Sequence, residues 1–210
     1  METQPTDVRE LRNRLLDAGR TVFARVGYAG STVDDVIEEA STSRATFYRY
    51  FRSKEDLFTE LSRVCFREIR SIIEEVGEVG LEGQTLEQLE DLLQRYRKMH
   101  GRHGGVFRAW WERTSRPSNE LQAEAASTFG TLVESLARPM TAAGAPSSVD
   151  VEVQAALLYL LIERSYFAVS GRWSRIDPDE LAPTLATMIH RAYFGGAAPK
   201  RGGRLRIGER

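Results

Sequence analysis

A chain of 210 residues with 29 Lys and Arg against 30 Asp and Glu has a formal net charge of -1, which excludes a generally basic nucleic-acid coat protein. With 41% hydrophobic and 28% charged residues it has the material for one small and one larger folded unit. No apolar run approaches the ~20 residues of a membrane span, and the polar start Met1-Glu2-Thr3-Gln4-Pro5 lacks the regions of a secretory signal, so cytoplasmic residence with no membrane partner is expected.

In chain order, Val8, Leu11, Leu15, Ala18, Val22 and Val26 recur at helical spacing and Gly27 follows as a stop, which predicts an amphipathic helix of roughly four to five turns. Helix-entry signals then come in quick succession at Thr32, Ser43 and Ser53, and Thr32 and Ser53 each have an acidic residue three places on. The helices between them must be short. Val33, Val36, Ile37 and Ala40 face inward with Phe47 and Phe51, which leaves Arg44, Ala45, Tyr48 and Arg49 facing out. Residues 41–54 hold Arg44, Arg49, Arg52 and Lys54 and no acid, so a positive field is confined to one edge of a three-helix packet. Arginine can bond guanine edges or phosphates and hydroxyls suit phosphate oxygens, so the edge reads as a DNA-recognition surface.

Beyond Lys54 the pattern stays helical. Leu57, Leu61, Val64, Ile69, Ile72 and Val76 continue one long helix until Gly77 and Gly80, and the single cysteine, Cys65, falls within its apolar pattern as a core or groove residue. Thr85 with Gln88 forms a capping box for a helix through Leu86, Leu89, Leu93, Tyr96 and Met99 that should end near Gly101. A short helix with Phe107, Trp110 and Trp111 follows. Ser118 or Asn119 caps the next, which runs from Leu121 to Met140 and stops at Gly144-Ala145-Pro146. Ser147 or Ser148 opens a helix through Tyr166, and Asp177-Pro178 opens one from Leu181 to about Phe194. Residues 155–162 are apolar on more than one side, which suits burial against both their own domain and a partner. No strand or repeat signal is present. Residues 196–210, rich in glycine with Lys200, Arg201, Arg204, Arg206 and Arg210, read as a disordered basic tail.

The ordered set Phe23-Ala24-Arg25-Val26-Gly27-Tyr28, Ser31-Thr32-Val33-Asp34-Asp35-Val36, Ser43-Arg44-Ala45-Thr46-Phe47-Tyr48-Arg49-Tyr50-Phe51 and Ser53-Lys54-Glu55-Asp56-Leu57 resembles the TetR family of bacterial one-component transcriptional regulators. The resemblance covers the first quarter to third of the chain. Its turn departs from the usual Ala-Gly-Val-Ser: Ala40-Ser41-Thr42-Ser43 puts Ser41 where glycine normally takes a left-handed conformation. The resemblance implies that Arg44 and Ala45 approach bases with Tyr48 nearby, while Thr32, Thr46, Arg49, Tyr50 and Lys54 hold phosphates. Asp34 either orients Arg44, accepts from a cytosine amino group, or serves the dipole of its own helix. It further implies that the two C-terminal helices form a four-helix dimer bundle, here through Leu157, Leu160, Leu161, Leu181, Leu185 and Met188.

The expectation is an all-α chain: an N-terminal three-helix helix-turn-helix DNA-binding domain over 1–53, a connecting long helix over 54–80, and a helical ligand-binding and dimerisation domain over 81–195. Its partners would be a palindromic double-stranded operator, a second copy of the chain and a small hydrophobic effector of ~300–1,000 Å³. Tyr96, Met99, Phe107, Trp110, Trp111, Phe129, Tyr159, Glu163 and Tyr166 are the candidate effector-binding residues, with Arg108, His100 or His103 as further polar contacts. No catalytic residue, metal or cofactor is assigned. Two other readings are a helical protein-binding adaptor and a metal-dependent enzyme using His100 and His103 near Glu112; the glycines at 101, 104 and 105 suggest a helix end at which those rings lose a common direction.

Overall fold

The computed structural model describes residues 5–79, 85–112, 117–142, 150–169 and 177–193. These form eight α-helices: α1 Pro5–Gly30, α2 Val33–Glu39, α3 Arg44–Tyr50, α4 Lys54–Val79, α5 Leu86–Trp111, α6 Asn119–Ala142, α7 Val151–Val169 and α8 Pro178–Tyr193. Among the described residues there is no strand, as the all-α reading requires. The basic tail, the Gly144-Ala145-Pro146 stop, the Ser147 or Ser148 cap and the end at Phe194 lie outside the described residues.

The chain divides into two compact units: residues 1–68 with 102–126, and residues 69–101 with 127–210. The division expected from sequence fell at 53 and 80. It could not anticipate that the second half of α5 and the start of α6 pack with the N-terminal helices.

In the first unit the core is aromatic and aliphatic, with Leu15, Val22, Phe23, Val36, Phe47, Phe51, Leu57, Phe58 and Leu61 buried. The helix boundaries have local causes. Gly27 takes φ 78 and breaks α1 where the sequence put its stop. Thr32 and Asp35 form a reciprocal capping box on α2, and Ser43 Oγ accepts from the Thr46 amide to open α3. Ser41 takes φ 49 at the turn between them, a conformation glycine would adopt more cheaply. Arg14 Nη2 donates to the Ala40 carbonyl at 2.7 Å and so satisfies the end of α2.

One expectation is overturned in this unit. The sequence predicted a helix ending near Gly101 and a separate short helix, but α5 is continuous from Leu86 to Trp111. The glycines are not a stop. A Cβ on Gly105 would lie 2.5 Å from the Phe23 carbonyl carbon, so the missing side chain lets α5 cross the backbone of α1. Arg108, one turn on, donates through Nη2 to the Phe23 carbonyl at 2.8 Å, beside the break at Gly27. Trp110 Nε1 donates to Ser62 Oγ at 3.2 Å, and its ring lies 6.2 Å from Phe58 and 6.0 Å from Phe66.

The second unit packs Leu89, Leu93, Tyr96 and Met99 of α5 with Leu132 and Met140 of α6, Ala155, Ile162 and Tyr166 of α7, and Leu181, Leu185 and Ile189 of α8. Asp150, rather than a serine, caps α7: its Oδ1 accepts from the amides of Glu152 and Val153. Asp177 caps α8 with Pro178 at the first helical position, as read from sequence. Cys65 is buried in the first unit, and burial pushes its thiol pKa up, which keeps it an inert core residue.

Candidate nucleic-acid interface

The helix-turn-helix edge places most of the predicted contact residues together. Arg44, Ala45, Tyr48 and Arg49 are exposed along α3, while Phe47 and Phe51 anchor its other face. Tyr48 is held edge-on to Phe47 with ring centroids 5.4 Å apart, so its hydroxyl projects from a fixed ring. Arg49 lies over the Tyr50 ring at 5.1 Å and its Nη2 reaches the Tyr50 hydroxyl at 3.4 Å, which couples two of the expected phosphate ligands. Thr46 shares a hydrogen bond with Ser43 Oγ at 2.9 Å.

Asp34 pairs with Arg44 across the α2–α3 junction, Nη2 to Oδ2 at 2.5 Å, with both side chains well exposed. Of the three roles open to Asp34, the geometry favours orienting the guanidinium. An Arg so held has its guanidinium plane restrained while its remaining N–H groups stay available to a base edge.

Lys54 departs from its expected role. Its Nζ donates to the carbonyls of Tyr28 at 2.8 Å and Ser31 at 2.7 Å, and sits 4.4 Å from the Tyr28 ring centroid. Two of its three donors are spent tying the start of α4 to the α1–α2 joint, so in this structure Lys54 is a brace rather than a free phosphate clamp. Tyr28 completes the brace by donating to Glu55 Oε1 at 3.2 Å; burial first, and the neighbouring Glu55 charge second, raise the phenol pKa. Thr32 likewise spends its hydroxyl on Asp35, whose carboxyl is held below its ordinary pKa by hydrogen bonds from the Thr32 side chain and amide.

The candidate effector residues are not brought to one place. A cavity of about 70 Å³ opens within the second unit, lined by Ile72 and Ile73 of α4, Leu92, Leu93 and Tyr96 of α5, Leu132, Ser135 and Leu136 of α6, and Tyr159 and Ile162 of α7. Of the predicted residues only Tyr96 and Tyr159 line it. Phe107 and Trp110 belong to the first unit, because a continuous α5 carries them onto the α1 and α4 face. Trp111 and Phe129 are exposed, and Met99 is sealed in the core. Glu163 is fully buried beside His100, Oε1 to Nε2 at 3.4 Å, and Tyr166 donates to the Leu93 carbonyl at 2.8 Å. The aliphatic wall was missed because a cavity-lining leucine and a core leucine share the same helical phase.

His103 pairs with Glu68, Nε2 to Oε1 at 3.1 Å, whereas His100 pairs with Glu163. Each ring thus answers to a different carboxylate, which removes the shared geometry the metal-site reading needed. Among the described residues no group of three or more His, Cys, Asp and Glu could hold a metal ion, and no helix is long and apolar enough to cross a membrane.

The dimer residues also separate. Leu157 and Leu161 of α7 are exposed, with Val153 one turn before them, and Met188 is exposed on α8. Leu160 is half-buried. Leu181 and Leu185, expected at the interface, instead face inward at 8% and 3% exposure. They share the buried face of α8 with Ala182, Ala186 and Ile189, so the amphipathic stripe of that helix serves its own core.

A three-helix unit with this capped turn and this exposed basic helix defines a class of fold: the helix-turn-helix. Residues 15–61 match the family described as bacterial regulatory proteins, tetR family. The chain is 29% identical over 63 residues to the Staphylococcus aureus biofilm operon icaADBC HTH-type negative transcriptional regulator IcaR, a match covering 30% of this chain and 34% of that one. The chain therefore matches about a third of the length of such curated relatives. Among solved structures it is similar to the TetR family transcriptional regulator PfmR from Thermus thermophilus, with TM-score 0.68 and 19% identity over 85% of this chain and 97% of that one. It also resembles the transcriptional regulator FadR from Bacillus subtilis in complex with stearoyl-CoA, with TM-score 0.62 and 18% identity over 86% and 98% of the two chains. At that identity the two solved structures establish the shared fold.

Proposed function

We propose that this protein is a cytoplasmic, homodimeric DNA-binding regulator, a repressor that leaves a palindromic operator when a small apolar molecule enters its second unit. The observation that carries the reading is the exposed α3 with Arg44 held by Asp34, in a unit that matches a family of bacterial regulatory proteins. Repression accords with the name of IcaR as a negative regulator, and control by a molecule with an apolar body accords with the acyl chain of the stearoyl-CoA in complex with Bacillus subtilis FadR.

Base readout falls to Arg44, Ala45 and Tyr48, and phosphate contact to Thr46, Arg49 and Tyr50, with Thr32 and Lys54 supporting the helices that carry them. The exposed stripe Val153, Leu157, Leu161 and Met188 is the face for a second copy, and a two-fold dimer reads two half-sites. The effector enters at the cavity between α4, α5, α6 and α7. At about 70 Å³ the cavity is smaller than the ~300–1,000 Å³ of ordinary ligand sites, so binding has to part these helices. Helices α4 and α5 each supply residues to both units, so their displacement changes helices on which the DNA-binding unit is built. A coupling of ~1–3 kcal/mol lowers DNA affinity about 5- to 150-fold, and DNA lowers effector affinity by the same factor.

The test is selection of a duplex from a random library with the full chain, followed by anisotropy titrations of that duplex with and without a panel of apolar compounds. A selected palindrome that at least one compound releases supports the reading. A helical protein that selects no sequence is an adaptor instead.

A further inference from the structure

We infer that the buried Glu163–His100 pair is a head-group site, and that the effector is an apolar molecule ending in a hydrogen-bond-donating, preferably cationic, group. The inference rests on the apolar-effector reading above and adds the chemistry of the ligand's other end.

Glu163 is inaccessible on α7. One carboxylate oxygen meets His100 only at 3.4 Å, and the other, Oε2, has no hydrogen-bond partner. A carboxylate taken out of water needs donors on both oxygens, so an oxygen left bare in a protein core is a position awaiting a donor. Neither member of the pair lines the cavity, but each adjoins a residue that does. Ile162, the neighbour of Glu163 on α7, lines it, and so does Tyr96, whose ring lies 6.3 Å from His100 and 5.6 Å from Tyr166. The Tyr166 hydroxyl is committed to the Leu93 carbonyl, so it does not serve the carboxylate.

The two features divide the labour of recognition. The aliphatic walls of Ile72, Leu92, Leu132 and Leu136 accept a hydrocarbon body and offer its polar end nothing. Next in sequence to the cavity-lining Ile162 is a carboxylate oxygen without a donor, a group that favours an ammonium or hydroxyl and repels a carboxylate. A buried polar oxygen without a partner costs stability unless something completes it.

Three probes of equal chain length separate the ideas: decylamine, decanol and decanoate, each titrated into the full chain by calorimetry below its micelle concentration. The expected order is decylamine tightest, decanol next and decanoate weakest, with roughly tenfold or more between the first and last. In Glu163→Gln, with folding checked by circular dichroism, the amine preference should shrink to about threefold or less while decanol affinity stays nearly unchanged. In His100→Leu, which removes the ring nitrogen facing the carboxylate, the amine preference should grow. Binding of all three without a head-group order, or decanoate tightest, overturns the site and leaves the apolar-effector reading intact. An amine preference that survives Glu163→Gln also overturns it. Failure of all three to bind overturns both readings together.

Discussion

Arg44 and Lys54 are both basic residues beside the recognition helix, yet the structure gives them opposite tasks. Arg44 is exposed and restrained only by Asp34, so Arg44→Ala should relax sequence preference at one base pair and cost ~1–3 kcal/mol there, read from binding to single-base operator variants. Asp34→Ala removes only an exposed ion pair, worth ~0–1 kcal/mol of stability, so urea denaturation should barely change while the preference at the same base pair broadens. Loss of preference in Arg44→Ala without any effect of Asp34→Ala would mean the pair does not orient the arginine. Lys54→Ala instead removes two charge-assisted bonds to backbone carbonyls, so it should lower stability by roughly 1.5–3 kcal/mol in urea denaturation. A variant as stable as the parent but weak on all duplexes would restore Lys54 to the phosphate contacts.

At the same scale, His103 gives unit one a dependence on pH. Burial lowers its pKa from the ordinary value of 6.5, the Glu68 hydrogen bond and charge oppose that shift, and Arg20 and Arg102 reinforce it. The unfolded chain therefore binds the proton more readily, and stability falls as pH drops below 6.5. Glu68 adds to the loss lower down: burial acts to raise its carboxyl pKa, but hydrogen bonds from Arg102 and His103 and their charges win and hold it below 4.5. His103→Gln should flatten the stability profile just below pH 6.5 and shrink the lower limb without removing it, since Arg102 still holds Glu68, as measured by urea midpoints across pH.

At the scale of elements, α5 depends on which of its glycines touches a neighbour. Gly105→Ala drives a Cβ into the backbone of Phe23 and Ala24, where no side chain can move aside, and should cost ~1–3 kcal/mol or more. Gly104→Ala meets nothing within 4 Å and replaces glycine inside a helix, so it should stabilise by ~0.5–1 kcal/mol. Thermal melting of the two variants checks both, and equal shifts would remove the close crossing. These glycines also show where sequence reading ends. A capping box such as Thr32 with Asp35 is local chemistry, and so is the Asp177-Pro178 entry; both were legible. Whether three glycines in five residues end a helix or admit another backbone depends on a contact distant in sequence. Helix α3 was legible for the same local reasons. The cavity was not, since Tyr96 and Trp110 are alike in composition and differ only in what the fold sets against them.

For the whole molecule the question is which apolar surface a second copy covers. Leu157 is 60% exposed and Leu185 is 3% exposed, so the two positions separate assembly from folding. Leu157→Glu should give folded monomers with weakened operator binding, whereas Leu185→Glu buries a charge in the second unit and should yield unfolded or insoluble chains. Sedimentation with circular dichroism distinguishes them, and a dimeric Leu157→Glu would move the interface off this face. Dimerisation matters to function because one recognition helix reads too little DNA to select an operator, while two on a two-fold axis read half-sites about one helical turn or somewhat more apart.

The most direct measurement is the ratio of affinities of the full chain for its selected palindrome and for a scrambled duplex, followed by anisotropy over a range of salt. The account predicts a ratio of at least ~10³, falling affinity for both duplexes as salt rises, and a ratio that collapses in Arg44→Ala while nonspecific binding persists. Equal affinity for the two duplexes, or a ratio indifferent to Arg44, would contradict it.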